Sequence, residues 1–307
     1  MQTRTDSAIT RDRFHIGDRQ LRLPEPGAVS ISRGWSWAEY ELFLAQMGDR
    51  AGFRAAFDRG VLEIVSPSIN HEEVKRLLGR LVELLAEAEN RPYRVLGSAT
   101  WKKRSAERGI EHDDCFYIQN ERLVRGKQII DLDAGEPPPD LAIEIDVYSS
   151  SKQRDDIFAT MGVPEIWRFR QNSVFVLKLE SDEYVPSEQS LAFPWFSACE
   201  PERFLTMARS NSLVEVTEYY QYFLDRELSK LDPIGHARRK QYVAYRRIVK
   251  PAMGDAADRA IARLALTDKG EAEAIAILSY SQRVRDLPKD ERAEAIARLL
   301  KNATELA

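Results

Sequence analysis

Acidic residues alternate along one short apolar segment of the sequence. Asp140, Glu144 and Asp146 share the run Pro139-Asp140-Leu141-Ala142-Ile143-Glu144-Ile145-Asp146. In a β-strand alternate side chains share a face, so these three carboxylates would point to one side and the aliphatic side chains to the other. Like charges on one face of a sheet repel each other, and a bound cation relieves the repulsion. The segment is therefore either an exposed edge strand or part of a metal site.

A second acidic group precedes this segment. Glu111, Asp113 and Asp114 stand at the start of an aromatic apolar run, Cys115-Phe116-Tyr117-Ile118, which would place their carboxylates at the mouth of a buried strand. The chain has two cysteines and four scattered histidines, which do not give the Cys/His spacing of a zinc cage. Any metal here would be bound by oxygen atoms.

The composition describes a soluble globular protein. Of 307 residues, 43% are hydrophobic and 31% are charged, which is enough apolar material for one large domain or two ordinary ones. No run approaches the ~18 apolar residues that span a bilayer, and the polar start of the chain lacks the apolar core of a secretory signal. We therefore expect a cytoplasmic protein with no membrane partner. The net charge of −4 gives no overall attraction to nucleic acid.

The first two thirds of the chain mix helix and strand signals. Residues 1–28 are polar and close on prolines and a glycine, so we expect a flexible N-terminal arm. A capping box at Ser36 and the helical spacing of apolar residues predict helices over 36–48, 70–89 and 152–161. Apolar runs divided by turn residues predict hairpins over 53–65 and 172–185. Residues 29–207 are therefore expected to form one α+β domain.

Five blocks of sequence follow one another in a fixed order. They are Phe57-Asp58-Arg59-Gly60-Val61-Leu62-Glu63-Ile64-Val65-Ser66-Pro67-Ser68, His71-Glu72, Glu111-His112-Asp113-Asp114-Cys115-Phe116-Tyr117-Ile118, Pro139 to Asp146 as above, and Gly162-Val163-Pro164-Glu165-Ile166-Trp167-Arg168. Together they resemble the Uma-type restriction endonucleases of bacteria, which belong to the PD-(D/E)XK nuclease superfamily. The resemblance covers roughly residues 30–200. It implies a restriction-endonuclease-like core with a mixed central sheet flanked by helices, hydrolysis of phosphodiester bonds that depends on Mg²⁺ or Mn²⁺, and DNA as the partner.

The same resemblance assigns roles by position. Asp113 and Glu144 match the two acids that hold the metal, and the neighbouring Asp114 is a second candidate for the first of them. Glu72 matches an acid that superfamily members place beside the metal, although at the start of a helix it is also explained by the helix dipole. Mg²⁺ prefers oxygen ligands, keeps several waters and needs only one or two protein carboxylates. Such a metal lowers the pKa of a bound water and neutralises charge on the scissile phosphate.

The sequence departs from the family pattern at the lysine. The acid-x-Lys motif is Glu144-Ile145-Asp146 here, and the position on the following helix where the family carries a lysine is Arg154. Arginine stabilises negative charge but does not readily lose a proton, so it could replace an electrostatic role and not a general-base role. Lys152 is the only nearby lysine that could substitute.

The last third of the chain is predicted to be a helical extension, residues 208–307, which the resemblance does not cover. Helices are expected over 214–230, 233–250, 255–267, 270–285 and 289–306. The second carries six cations and no acid, with two tyrosines between the cations: Arg238, Arg239, Lys240, Tyr242, Tyr245, Arg246, Arg247 and Lys250. Cations with stacking aromatics suit a nucleic-acid groove, whereas a solvated helix face with inward tyrosines is the commoner case. A helical tail also serves oligomerisation, and the assembly we consider is a homodimer.

Two functions from different classes fit these observations. The first is a metal-dependent endonuclease acting on DNA, in which Asp113 and Glu144 hold Mg²⁺ or Mn²⁺ and Arg154 or Lys152 assists at the phosphate. The second is a catalytically degenerate nuclease-fold protein that binds nucleic acid or serves assembly, which the missing lysine suggests. An enzyme of other chemistry on the same scaffold is a third, since a fold does not determine a function.

Overall fold

The computed structural model describes residues 13–48, 52–146, 151–249 and 254–304. Its contacts divide the chain into two compact units. The first, here called the core unit, holds the described residues up to Leu81 together with Tyr93–Ser210; the second, the helical unit, holds Val82–Pro92 and the described residues from Asn211 on. The predicted domain boundaries at residues 28 and 207 stay predictions.

The strands and helices of the core unit alternate along the chain. The strands are β1 (Arg13–Ile16), β2 (Arg19–Arg22), β3 (Val29–Arg33), β4 (Arg54–Asp58), β5 (Val61–Val65), β6 (Arg94–Val95), β7 (Thr100–Lys103), β8 (Arg108–Glu111), β9 (Asp114–Tyr117), β10 (Leu141–Ile145), β11 (Glu165–Arg170), β12 (Ser173–Glu180) and β13 (Glu183–Pro186). The helices are α1 (Trp37–Met47), α2 (Ile69–Ala88), α3 (Glu121–Val124), α4 (Ser151–Met161) and α5 (Glu200–Ser210), and the last turns of α2 belong to the helical unit.

Among the described residues the strands pair into a mixed sheet, an antiparallel sheet and a small hairpin. The mixed sheet has the order β13-β12-β11-β10-β9-β6, in which β10 and β11 run parallel and their other neighbours antiparallel. The antiparallel sheet has the order β3-β5-β4-β8-β7, and β1 pairs only with β2. The expected α+β fold with a mixed sheet is confirmed, while the separate antiparallel sheet was not predicted.

Strand β10 lies inside the mixed sheet, between β9 and β11. All five of its residues are buried, so the alternative of an exposed edge strand is wrong. A strand that is covered on both faces is apolar almost throughout, which explains the unbroken Leu141-Ala142-Ile143 run. Glu144 is therefore a carboxylate in the protein interior, where a counter-charge is needed.

Local sequence signals account for several elements. The Ser36 hydroxyl accepts from the Glu39 N–H, and the Glu39 carboxylate accepts from the Ser36 N–H, so the predicted capping box opens α1. The predicted hairpins form as β4–β5 and β12–β13. Gly162, with φ +80°, ends α4 in the left-handed conformation that glycine adopts without strain.

The part of the N-terminal segment that the structure describes differs from the flexible arm that the sequence predicts. Residues 13–22 form the β1–β2 hairpin, and Ile16, Leu21 and Leu23 are buried with the aromatic side chains of α1. Polar and charged residues separate these three apolar residues in the sequence, so no hydrophobic run predicts a strand here, although all three side chains are buried. The first twelve residues lie outside the described part of the chain.

The helical unit holds the remaining helices. They are α6 (Leu213–Leu231), α7 (Pro233–Ile248), α8 (Gly254–Lys269), α9 (Glu271–Leu278), α10 (Gln282–Arg285) and α11 (Lys289–Thr304). The single helix predicted over 270–285 is two, α9 and α10, with a break at residues 279–281. In the described ranges, no helix is long and apolar enough to cross a bilayer.

Candidate active site

Asp113 and Glu144 come together through the pairing of β9 with β10. The antiparallel register ends with Ile143 opposite Asp114, and Glu144 and Asp113 are the next residues of the two segments beyond this pair. The Ile145 N–H donates to Asp113 Oδ2 at 2.8 Å, which brings the Asp113 carboxylate against the backbone of β10. Both acids are only 2% exposed, so the two carboxylates share one buried region of the core unit.

Asp113 is held by helix α2 as well as by β10. His71, in the first turn of α2, places Nε2 3.1 Å from Asp113 Oδ1. Burial raises the pKa of Asp113, but the interaction with His71 and the nearby charge of Arg154 outweigh burial, so the pKa lies below that of an ordinary aspartate. Asp113 is therefore ionised at neutral pH.

Glu144 is held differently. Arg154, on α4, places Nη2 against Glu144 Oε1, and Arg168 stands opposite Glu144 in the parallel register of β10 and β11. Burial raises the pKa of Glu144 above its usual value, although the charge of Arg154 opposes this effect. Within the described residues, Glu144 Oε2 is buried and has no hydrogen-bond partner. One carboxylate oxygen of Glu144 is thus without a partner in the part of the chain that the structure describes, and it is placed to accept from or bind a further group.

Glu63 is a third buried acid at this place, and it was not predicted from the sequence. It lies in β5 of the antiparallel sheet, is fully buried, and accepts a hydrogen bond from Arg154 Nη1 at 3.0 Å. Arg154 therefore bridges Glu63 in the antiparallel sheet and Glu144 in the mixed sheet. The only signal for Glu63 in the sequence is a lone acid in the apolar run Val61-Leu62-Glu63-Ile64-Val65.

Polar residues at the rim link the buried acids to the surface. Arg54, in β4, lies 3.4 Å from Glu111 Oε1, 3.7 Å from Glu72 Oε1 and 4.0 Å from Asp113 Oδ1. The Glu72 side chain is 46% exposed, and its carboxylate also forms an ion pair with Lys75. Glu72 therefore lies at the edge of the buried cluster, one charged contact away from Asp113.

The remaining sequence candidates lie elsewhere. Lys152 is exposed near the start of α4, whereas Arg154 of the same helix is buried in the cluster. Asp114 lies against a later turn of α2, where a Cβ on Gly79 would come within 3.0 Å of its Oδ2. Asp140 accepts hydrogen bonds from Ile118 N at 2.7 Å and from the backbone and side chain of Asn120, so it holds the turn after β9.

A comparison with family models assigns this part of the chain. The model of the Uma2 family, described as putative restriction endonucleases, matches residues 37–206, which is more than half of the chain. The chain belongs to the Uma2 family. This confirms the resemblance to the Uma-type family seen in the sequence, and the family description supports a nuclease at the level of the family. No curated protein matches the chain.

The match encloses the whole buried cluster. Glu63, Asp113, Glu144 and Arg154 all fall inside the Uma2 segment, whereas α6 to α11 lie beyond it. The site described here is therefore a feature of the Uma2 domain. The helical unit needs its own explanation.

The donor set of the cluster suits a hard cation. Asp113 and Glu144 supply carboxylate oxygens, and Glu144 Oε2 lacks a partner among the described residues. In the same residues no group of three His, Cys, Asp or Glu side chains is arranged to hold a metal by itself. A metal bound here would take most of its ligands from water and from a phosphate, which is the way Mg²⁺ is commonly bound beside one or two carboxylates.

Proposed function

We propose that this protein is an endonuclease that hydrolyses phosphodiester bonds of DNA with the help of Mg²⁺ or Mn²⁺. The observation that supports the proposal is the pair of buried carboxylates, Asp113 and Glu144, from neighbouring strands of a Uma2 domain. Burying two acids side by side is costly unless cations compensate them, and stability alone gives no reason to keep such a pair. Arg154 supplies only part of the compensation, since it is shared with Glu63.

The bound metal would lower the pKa of a water and neutralise charge on the scissile phosphate. The chain supplies the positioning. Asp113 is ionised and is oriented by the Ile145 N–H and by His71. Glu144 is fixed by Arg154 on one oxygen and presents the other. A set of oxygens held this firmly needs little reorganisation when the substrate arrives.

Arg154 has an electrostatic role in this proposal. Its guanidinium stays protonated at any working pH, so it offsets the charge of the acids and does not act as a general base. Arg154 contacts Glu144, and the resemblance puts the family's lysine at the position of Arg154. Lys152, exposed outside the cluster, is not needed for the reaction in this proposal.

Nicking of supercoiled plasmid DNA with Mg²⁺ or Mn²⁺ tests the proposal. Asp113→Asn and Glu144→Gln should each lower the nicking rate by about 100-fold or more, because each removes a charge that the transition state needs. Lys152→Gln and the exposed control Glu183→Gln should leave the rate unchanged. Nicking that survives in both Asp113→Asn and Glu144→Gln would overturn the proposed site.

The missing motif lysine supports a second candidate, a degenerate nuclease fold that binds nucleic acid without cutting it. The lysine position of the motif is Asp146, and an arginine that cannot release a proton contacts Glu144. In the same experiment this candidate predicts DNA binding with no nicking under either metal. A homodimer stays a prediction, which sedimentation of the full chain tests.

A further inference from the structure

A charged groove lies entirely within the helical unit. The end of α2 and helices α6 and α7 enclose a cavity of about 480 Å³. One face of α7 lines it with the cations Arg239, Lys240 and Arg247, which recur at the spacing of one helix face. The Uma2 match ends before this helix, so the proposed reaction does not account for the groove.

Of these three cations, Lys240 is neutralised by an acid of the groove, Asp225. Asp225 is paired twice, with His236 Nε2 at 2.9 Å and with Lys240 Nζ at 3.0 Å. In the described part of the chain, neither Arg239 nor Arg247 forms an ion pair with a carboxylate. Two arginines on one face of α7 therefore keep their charge uncompensated.

Arg239 is the more informative of the two. Its Nε and Nη1 atoms are buried, and they have no hydrogen-bond partner in the residues that the structure describes. Its guanidinium lies 5.7 Å from the centre of the Tyr280 ring, which fixes the plane of the fork. A half-buried guanidinium with two buried N–H donors that lack an acceptor among the described residues is the arrangement that an oxyanion completes.

Further positive charge surrounds Arg239. Burial lowers the pKa of Arg285, and the charges of Arg91 and Arg239 lower it further. Arg285 Nη2 donates to the Asn90 carbonyl at 2.8 Å, so this arginine is held in place by the backbone. Arg91 is itself paired with Glu89 at 3.0 Å, so the charge that adds to that of Arg239 is the charge of Arg285.

The tyrosines of α7 indicate which part of a nucleic acid fits. Tyr242 and Tyr245 are 6% and 4% exposed and belong to the apolar core of the helical unit, so the inward tyrosines named as the commoner case are confirmed and neither ring is available to stack on bases. Cations without stacking side chains beside them most often contact phosphate groups. Arg239 and Arg247 are eight residues apart, about 12 Å along a helix axis, which corresponds to three or four base pairs at about 3.4 Å each.

We propose that this groove binds the phosphate backbone of duplex DNA, as a contact separate from the Asp113–Glu144 site. The choice of DNA rests on the proposed function, and the charge and the unpartnered guanidinium rest on the helical unit alone. The groove adds affinity without sequence preference, because phosphates carry no base identity.

The test measures binding of a fluorescently labelled DNA duplex to the full chain. The fluorescence anisotropy of the duplex reports the binding, and it is measured in EDTA at a series of salt concentrations. We expect Arg239→Gln/Arg247→Gln to weaken binding about tenfold near 0.1 M salt. The slope of log K against log[salt] should fall by about two, because each arginine neutralises one phosphate. The matched control Arg263→Gln/Lys289→Gln removes two exposed cations of the same unit outside the groove and should bind like the wild type.

A charge-keeping variant separates charge from folding. Arg239→Lys/Arg247→Lys should bind within about threefold of the wild type, and far-ultraviolet circular dichroism should show the same helix content in every variant. The groove is overturned if Arg239→Gln/Arg247→Gln binds with the wild-type affinity and salt slope, or if the control is weakened as much. Wild-type protein that binds through Arg239 and Arg247 but never nicks DNA would instead overturn the nuclease proposal and leave the groove standing.

Discussion

Arg154 donates a hydrogen bond of 3.0 Å to Glu63, a residue 91 positions away in the sequence. The same guanidinium contacts Glu144, so one buried cation compensates acids from both sheets of the core unit. Because this cation and its partners are almost completely buried, removing one member leaves the others without compensation.

Arg154→Met is therefore expected to destabilise the protein by about 3–5 kcal/mol, since it leaves Glu63 and Glu144 buried and unpaired. Urea unfolding at pH 7 measures the change in stability. The triple variant Arg154→Met/Glu63→Gln/Glu144→Gln removes all three charged side chains, and it should recover at least half of the stability that Arg154→Met loses. An exposed arginine, Arg263→Met, serves as the control. A cost below about 1 kcal/mol for Arg154→Met would contradict the bridge.

Metal affinity is expected to depend on pH through Glu144. Burial raises the pKa of this carboxyl to about 8, and a metal binds only the ionised form, so binding releases a proton below that pH. The dissociation constant for Mn²⁺, measured by calorimetry, should fall by about tenfold per pH unit from pH 6 to 8 and level off above. Glu144→Gln should abolish the binding. An affinity that stays flat across this range would show that Arg154 keeps Glu144 ionised throughout.

His112 is expected to make the protein sensitive to acid. Its Nε2 accepts from Trp101 Nε1, and burial lowers its pKa to about 3. An unfolded histidine titrates near pH 6.5, so between these values the unfolded chain binds more protons and stability falls as the pH falls. From pH 6.5 to 5.0 the destabilisation from this residue is about 2 kcal/mol.

The effect of His112 is measured as the difference in unfolding free energy between pH 6.5 and pH 5.0, compared between the wild type and His112→Gln. Gln at this position can still accept from Trp101, so His112→Gln should reduce that difference by about 2 kcal/mol. The exposed His15→Gln is the control and should leave it unchanged. Equal differences in the wild type and His112→Gln would contradict a buried neutral histidine.

Tyr40 and Gly109 make a tight contact in the core unit. Tyr40 is fully buried and stacks on Phe57 with ring centres 4.7 Å apart, and a Cβ on Gly109 would lie 2.5 Å from its hydroxyl oxygen. Gly109→Ala should therefore cost about 2 kcal/mol through overpacking. The Tyr40 hydroxyl has no hydrogen-bond partner in the described residues, so Tyr40→Phe should stabilise by about 1 kcal/mol.

Thermal and urea unfolding of the two single variants and the double variant measure this coupling. In Tyr40→Phe/Gly109→Ala the nearest clashing atom is gone, so the cost of the alanine should be smaller than in the wild-type background. If the free-energy changes of the two single variants simply add in the double variant, the Tyr40 hydroxyl does not cause the clash.

Local elements were the predictable part of this fold. The Ser36–Glu39 capping box and the turn at Arg59-Gly60 are complete within a few residues, and the helices and hairpins they start or join are where the sequence places them. Helix α2 is indicated in the same way by apolar residues at helical spacing. The β1–β2 hairpin escaped prediction because its strands are short and mostly polar.

Pairings between distant segments were not predictable from spacing. Asp113 and Glu144 were named through a resemblance, and nothing in their own positions states that β9 lies beside β10. Glu63 was missed because its partner, Arg154, lies on another element. The sequence alone does not explain a lone acid in an apolar strand, since the ion pair that accounts for it forms only in the folded protein. Whether the tyrosines of α7 could stack on bases was decided by their burial in the core of the helical unit. That burial depends on packing against other helices, which the sequence of α7 does not show.

The division of the acids between two sheets also bears on how the protein is made. Glu63 is synthesised first and Arg154 last, and the bridge between them needs both sheets in their final places. A chain still emerging from the ribosome with fewer than 154 residues exposed has no such site. On the nuclease proposal, the capacity to cut DNA therefore appears only once both sheets of the core unit are complete.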